Sequence, residues 1–183
     1  MEMNGKQLIP VAQDAVWRAL NDPAVLKDCI PGCETVERIS DEEYAVTLVA
    51  AVGPVKAKFK GRMLLKDINP PHSYRLAFEG QGGVAGFGKG EAEVSLAPEG
   101  GSTLMSYSAK AQVGGKLAQV GSRLIDGAAK KIAGEFFTAF TRTVAPAAPA
   151  QTAPEAKGEG VPAWVWLAGA AVVAGIAWFA MNH

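Results

Sequence analysis

The chain is poor in the residue types that make or break bonds. Its 183 residues include two cysteines and two histidines. Two cysteines cannot form a disulfide scaffold or close a four-ligand zinc site. Net charge is also missing: 18 Lys and Arg balance 18 Asp and Glu. That balance excludes a nucleic-acid binder, which needs a basic excess to neutralise phosphates. The N-terminus, MEMNGKQLIPVAQDAVW, carries no apolar signal core. From Val161 to His183 there is no charged residue at all. What the chain does have is apolar: a 49% hydrophobic fraction with 20% charged residues, too rich in core formers for a disordered polymer.

The apolar content is unevenly placed, and the chain divides into three parts. Residues 161–181 read VPAWVWLAGAAVVAGIAWFAM. As a helix they rise about 31 Å, enough to cross a hydrocarbon core of about 30 Å. Trp164 and Trp166 at one end, and Trp178 and Phe179 at the other, form the aromatic belts expected at the two headgroup layers. A single C-terminal transmembrane helix is expected, with the domain on the cytoplasmic face of the membrane. Residues 145–160, APAAPAQTAPEAKGEG, cannot build a core and are expected to be a stiff Pro/Ala-rich linker. It would reach up to about 50 Å if fully extended. Residues 1–144 hold the remaining pattern and are expected to be one domain.

That domain reads as strand, two short helices, six strands and a long helix. Met3 to Ile9 suits a strand, and Gln13 to Leu20 a short helix. Asp22 is placed to cap a second helix that starts at Pro23 and ends near Cys29, before Pro31-Gly32. Strict alternation follows. Val55, Ala57, Phe59, Met63 and Leu65 share one face of a strand, and Lys56, Lys58, Lys60, Arg62 and Lys66 mostly the other. The stretches around Tyr74 to Phe78, Ala92 to Leu96 and Met105 to Val113 alternate likewise. Short turns between them predict an antiparallel meander, dry on one side only. Lys116 to Val144 is expected to be one helix, with Leu117, Val120, Leu124, Ala128, Ile132, Phe136 and Phe140 as its apolar stripe.

One helix is narrow against a broad curved sheet, so an apolar groove between them is expected. Gly121, Gly127 and Gly134 remove side-chain volume from the helix, either for close packing or to leave room for a ligand.

Three motifs bear on chemistry. Gly83 to Lys89 satisfies G-x-x-x-x-G-K, but Gly90 and a strand follow where a phosphate loop needs Ser or Thr and a helix. A glycine-rich hairpin with Phe87 at its tip, a lid, a partner contact or a plain turn, is the reading left. Cys29 and Cys33 have neither redox-pair spacing nor further metal ligands, and His72 lies in a Pro-Pro-His-Ser turn without a triad pattern. The basic run Lys56, Lys58, Lys60, Arg62 could meet an acidic partner or anionic lipid headgroups. The acids Glu79, Glu91 and Glu93 on neighbouring strands favour ordinary cross-strand pairing.

The order of elements resembles the helix-grip fold of START-like (SRPBCC, polyketide cyclase) domains, an α+β architecture with a seven-stranded antiparallel sheet wrapped around a long C-terminal helix. The stretch Asn21 to Glu34, NDPAVLKDCIPGCE, and the glycine-rich Gly80 to Gly90 followed by Glu91-Ala92 are similar to the carbon monoxide dehydrogenase G-subunit family. That resemblance covers about residues 1–144 and implies a non-enzymatic accessory protein. Its implied partner is a carbon monoxide dehydrogenase-like molybdenum oxidoreductase held at the membrane. Groove, anchor and redox partner together suggest an isoprenoid quinone or other lipid as the bound molecule, with no other cofactor. Phe59, Met63, Phe78, Phe87, Tyr107, Leu124, Ala128, Ile132 and Phe136 are the expected lining, unless the groove is an ordinary filled core. Two alternatives stand beside this reading: a polyketide-cyclase-like enzyme, which would need a buried ionisable group in the groove, and a general lipid-transfer protein.

Overall fold

The structure, a computed structural model, describes residues 1–145. The expected span, and the expected linker from residue 146 onward, lie outside the described residues. Strand β1 (Glu2–Ile9) is followed by helices α1 (Gln13–Leu20) and α2 (Pro23–Cys29). Six strands follow: β2 (Cys33–Arg38), β3 (Glu43–Val52), β4 (Val55–Asn69), β5 (Ser73–Gln81), β6 (Phe87–Glu99) and β7 (Ser102–Gly114). Two helices end the domain, α3 (Lys116–Gln119) and α4 (Ser122–Val144). The seven strands form one sheet in the order β1-β7-β6-β5-β4-β3-β2. Every pairing is antiparallel, as the alternation and short turns require.

Local chemistry sets the element ends. Asp22 Oδ1 accepts from the Ala24 N–H at 2.8 Å and so caps α2, with Pro23 in the first turn. The C-terminal helix is not the single one expected over 116–144. It breaks at Gly121, whose φ of 90° no L side chain adopts comfortably. A short α3 therefore precedes a separate α4.

The dry face of the sheet carries Tyr44, Leu65, Tyr74, Val94, Leu96 and Met105 at one end. There α1 and α2 close over it with Ile9, Val16, Leu20 and Cys29, and Phe140 of α4 fills the centre at 0% exposure. Full burial of Phe140 alone is worth about 1.5–3 kcal/mol. Thr103, the one buried polar side chain noted among the described residues, donates from Oγ1 to the Val11 carbonyl at 2.7 Å. Among the described residues, no helix is long and apolar enough to cross a membrane.

Candidate functional site

The inner face of the sheet changes character along its length. Towards Phe140 its side chains are buried. Away from it, Leu48, Ala50, Ala57, Phe59, Phe78, Ala92, Ala109, Ala111 and Val113 are only partly covered, although register puts them on the same face. The reason lies in α4. Successive i+4 steps on a helix overshoot a full turn by about 40°. A stripe of such steps from Leu124 to Phe140 therefore winds more than a third of the way round the cylinder. With Phe140 fixed against the sheet, the partly buried residues within about 60° of that face are Ile125, Ala129 and Ala133, then Asp126, Phe136 and Phe137. Two of the first three are alanines. The first half of α4 thus presents little bulk to the sheet below it.

A groove of about 730 Å³ runs beside α4. Its walls include Met3 and Tyr107 from β1 and β7, and Ala133, Gly134 and Phe137 from the helix. The Tyr107 ring meets Phe137 at 5.2 Å between centroids, and Phe136 stacks on Phe140 at 5.7 Å. Asn4, Gln7, Thr138 and Thr141 add polar atoms and Lys130 and Arg142 add two cations, and Thr141 Oγ1 is buried without a hydrogen-bond partner. A second hollow of about 750 Å³ is lined by Arg62, Glu79, Lys89, Glu91 and Lys110 on the outer, charged face of the sheet. Its lining suits water, whereas the groove beside α4 offers the apolar walls a greasy ligand needs.

Of the nine residues expected to line the groove, Tyr107 is among those lining the 730 Å³ groove and the other eight are not. Phe59, Met63, Phe78 and Tyr107 are on the inner face, as register requires: Met63 faces Tyr44 and Phe78, and Tyr107 faces Val94. The glycine-rich segment serves these rings directly. A Cβ on Gly82 would run into the Phe59 ring, and one on Gly90 into the Lys110 carbonyl and the Phe78 ring. Phe136 packs against the core. Ala128 is partly buried, but the same helical arithmetic puts it about 120° from Phe140. Leu124 and Ile132 need correction. They are 49% and 39% exposed because the i+4 stripe carries them off the sheet-facing arc. Phe87 also needs correction. It pairs with Gln81 and Gly114 on the outer face, its ring lying over Gly114. Met3, Ala133 and Phe137 line the groove without being expected to. A 3.6-residue helical wheel anchored on Phe140 would have found the two helix residues.

The ionisable groups that line this groove are Lys130, Arg142 and the Tyr107 phenol, with no carboxylate among them. Among the described residues there is no group of three or more potential metal ligands. Burial pushes the Cys29 and Cys33 thiols above their usual range, and burial pushes the Tyr74 phenol strongly up. Cys29 Sγ points at Thr143 Oγ1, 3.8 Å away, and Cys33 Sγ at the Thr35 and Thr47 carbonyls. Those neighbours account for both thiols without a redox pair. The basic strand is resolved one residue at a time. Lys58 Nζ meets Glu34 Oε2 at 2.8 Å, and Arg62 meets Glu43 at 3.3 Å while facing Glu79 in register. Lys56 faces Ala51, and Lys60 lies between Thr47 and Gln81.

A seven-stranded antiparallel sheet curled about one long C-terminal helix, with two short helices after the first strand and an apolar groove under the helix, defines a START-like helix-grip domain. Solved structures agree. A conserved protein from Geobacillus kaustophilus is 33% identical at a TM-score of 0.74, covering 79% of this chain and 95% of that one. A START superfamily protein from Mycobacterium smegmatis (12% identity, TM-score 0.60, 78% and 96% covered) shares the fold. So does the Zhui aromatase/cyclase from Streptomyces sp. R1128 (13% identity, TM-score 0.56, 79% and 93% covered). Comparison with curated proteins returns no match. The family model for the carbon monoxide dehydrogenase G subunit (CoxG) matches residues 5–145, and the chain belongs to that family.

Proposed function

We propose that this protein is a membrane-tethered, non-enzymatic accessory subunit. It recruits a carbon monoxide dehydrogenase-type molybdenum hydroxylase to the cytoplasmic face of the membrane and carries a lipophilic molecule in the groove beside α4. An isoprenoid quinone is the favoured cargo, since it would link the soluble oxidoreductase to the membrane electron pool. The observation that carries the ligand reading is the partly uncovered apolar inner face beneath Ile125, Ala129 and Ala133. Family membership supports the accessory role and the partner. The sequence 161–181 supports the tether.

A groove of about 730 Å³ falls within the range of small-molecule sites, and Gln7, Thr138, Thr141, Lys130 and Arg142 supply the groups that would orient a polar head. The groove's own residues would exclude water from the ligand's tail and hold it by contact area. The test is to purify the full chain from its own membranes and identify co-purifying apolar molecules by mass spectrometry. An isoprenoid quinone at a near-stoichiometric level is expected. Retention of nothing apolar overturns the carrier role. Deleting 161–183 tests the tether separately: the oxidoreductase is expected to move to the soluble fraction, and its staying on the membrane overturns recruitment. A cyclase would need an ionisable side chain buried against the ligand. The buried ionisable groups Cys29, Tyr44 and Tyr74 belong to the core cluster, and the residues lining the groove include no carboxylate or histidine.

A further inference from the structure

The neutral domain hides a charge division along its length. The β3–β4 hairpin tip, the turn Gly83–Ala85, α3 and the start of α4 converge at the end of the sheet away from Phe140. A Cβ on Gly53 would lie 3.2 Å from Leu124 Cδ1, and one on Gly115 2.6 Å from Gly86 Cα. The segments 50–60, 80–90 and 112–126 build this end. They carry six basic side chains, Lys56, Lys58, Lys60, Lys89, Lys116 and Arg123, against one acid, Asp126. The rest of residues 1–145 carries 11 basic side chains and 15 acids. Of the six, Lys58 is held by Glu34.

The same end bears apolar side chains that nothing covers. Val84 is 86% exposed at the apex of its turn, Leu124 49% and Phe87 39%. Gly83, beside Val84, has a positive φ of 59° and would meet nothing within 4 Å if given a Cβ, so the apex stands clear of the domain. A protruding aliphatic side chain on an end rich in lysines matches an anionic bilayer surface. The apolar tip enters the headgroup boundary, and the cations stay at phosphate level. An acidic protein with an apolar pocket would match the same features, and binding to vesicles without any second protein decides between the two.

We infer that this end of the domain docks onto an anionic lipid surface by itself, with Val84 inserted and Lys56, Lys60, Lys89, Lys116 and Arg123 facing the headgroups. This contact is separate from the C-terminal span and does not require that the groove hold a ligand.

The test uses residues 1–145, which contain the whole core and correspond to 95% of a relative crystallised as this domain. Co-flotation is measured with vesicles of phosphatidylglycerol and phosphatidylcholine in equal parts, and with phosphatidylcholine alone. Binding is expected only to the anionic vesicles and is expected to vanish in 1 M salt, where the screening length falls to about 3 Å. Each lysine near an anionic surface is worth about fivefold in binding, so Lys56→Gln with Lys60→Gln should weaken binding about thirtyfold. Val84→Ser should weaken it further. The control Lys6→Gln with Lys27→Gln removes the same charge from elsewhere on the domain and should change binding little. No binding to anionic vesicles, equal binding to neutral ones, or equal loss in the control pair would each overturn the inference. Folding of every variant is checked by thermal melting. Ligand retention, measured on the same preparations, reports on the carrier role independently.

Discussion

Ala133→Leu separates an open groove from a filled core by the sign of its effect. Ala133 lies on the sheet-facing arc of α4 and lines the 730 Å³ groove with Tyr107 and Phe137. Leucine adds three carbons. If the space is free, their burial contributes at most about 2.4 kcal/mol, at about 0.8 kcal/mol per methylene. Loss of rotamer freedom removes about 0.5–1 kcal/mol, and partial wetting removes more. The net effect is then between about zero and 1.5 kcal/mol of stabilisation. If the space is already packed, the same substitution costs about 1–3 kcal/mol through overpacking. The difference between the outcomes is several degrees in Tm, at about 4 °C per kcal/mol for a domain of this size. Helix propensity differs too little between the two residues to blur the answer. Urea unfolding of residues 1–145, stripped of lipid, gives the stability. Apolar extraction of the full-length variant gives the occupancy. Equal or higher stability with reduced ligand retention is expected. A loss of about 1 kcal/mol or more with unchanged retention would refute the groove. Ala139→Leu supplies the contrast: Ala139 packs against the core cluster, so overpacking of about 1–3 kcal/mol is expected there.

Phe140→Ala, at a fully buried position, should cost about 3–5 kcal/mol in denaturant unfolding, while Leu124→Ala, half exposed, should cost about 1 kcal/mol or less. Gly86→Ala should destabilise by more than the usual single-residue change. Its φ is 109°, and a Cβ there would run into the backbone carbonyl of Gly114, so a melting scan should show a loss of several degrees. Tyr74 has a raised phenol pKa because it is buried. Its stabilising contribution is therefore complete below the unfolded phenol value of about 10 and is lost as pH rises beyond it. Tyr74→Phe should flatten stability against pH in the alkaline range, and an unchanged slope would contradict this. Cys29, buried and with a raised thiol pKa, should resist alkylation at pH 8 until the domain unfolds, as mass-resolved labelling would show.

The sheet is readable from sequence because period-two alternation is a direct consequence of the pleat. Counting alone puts Phe59, Met63, Phe78 and Tyr107 on one face, and the register agrees. Helix α2 is readable because Asp22 and Pro23 act locally. Long-range rotation is not. An i+4 stripe on α4 accumulates about 40° at each step, so Leu124 and Ile132 fall off the buried arc while Phe137 lies on it, outside the stripe. Phe87 sits at a loop tip in sequence, but face follows from register, and it pairs with Gly114 on the outer side. The break at Gly121 is invisible for a similar reason. Glycine within a helix and glycine ending one look alike until φ is known. The basic strand also depends on register, because Lys58 and Arg62 find acids on β2 and β3 while Lys56 and Lys60 face neutral residues.

The carrier role stands or falls on what the groove holds. The decisive measurement is native mass spectrometry of the full-length protein released from its own membranes, beside the Ala133→Leu variant. One isoprenoid-type lipophile per chain is predicted for the unmodified protein, with a clear reduction in the variant. A protein with no apolar passenger, or with the same passenger undiminished in the variant, would contradict the carrier role.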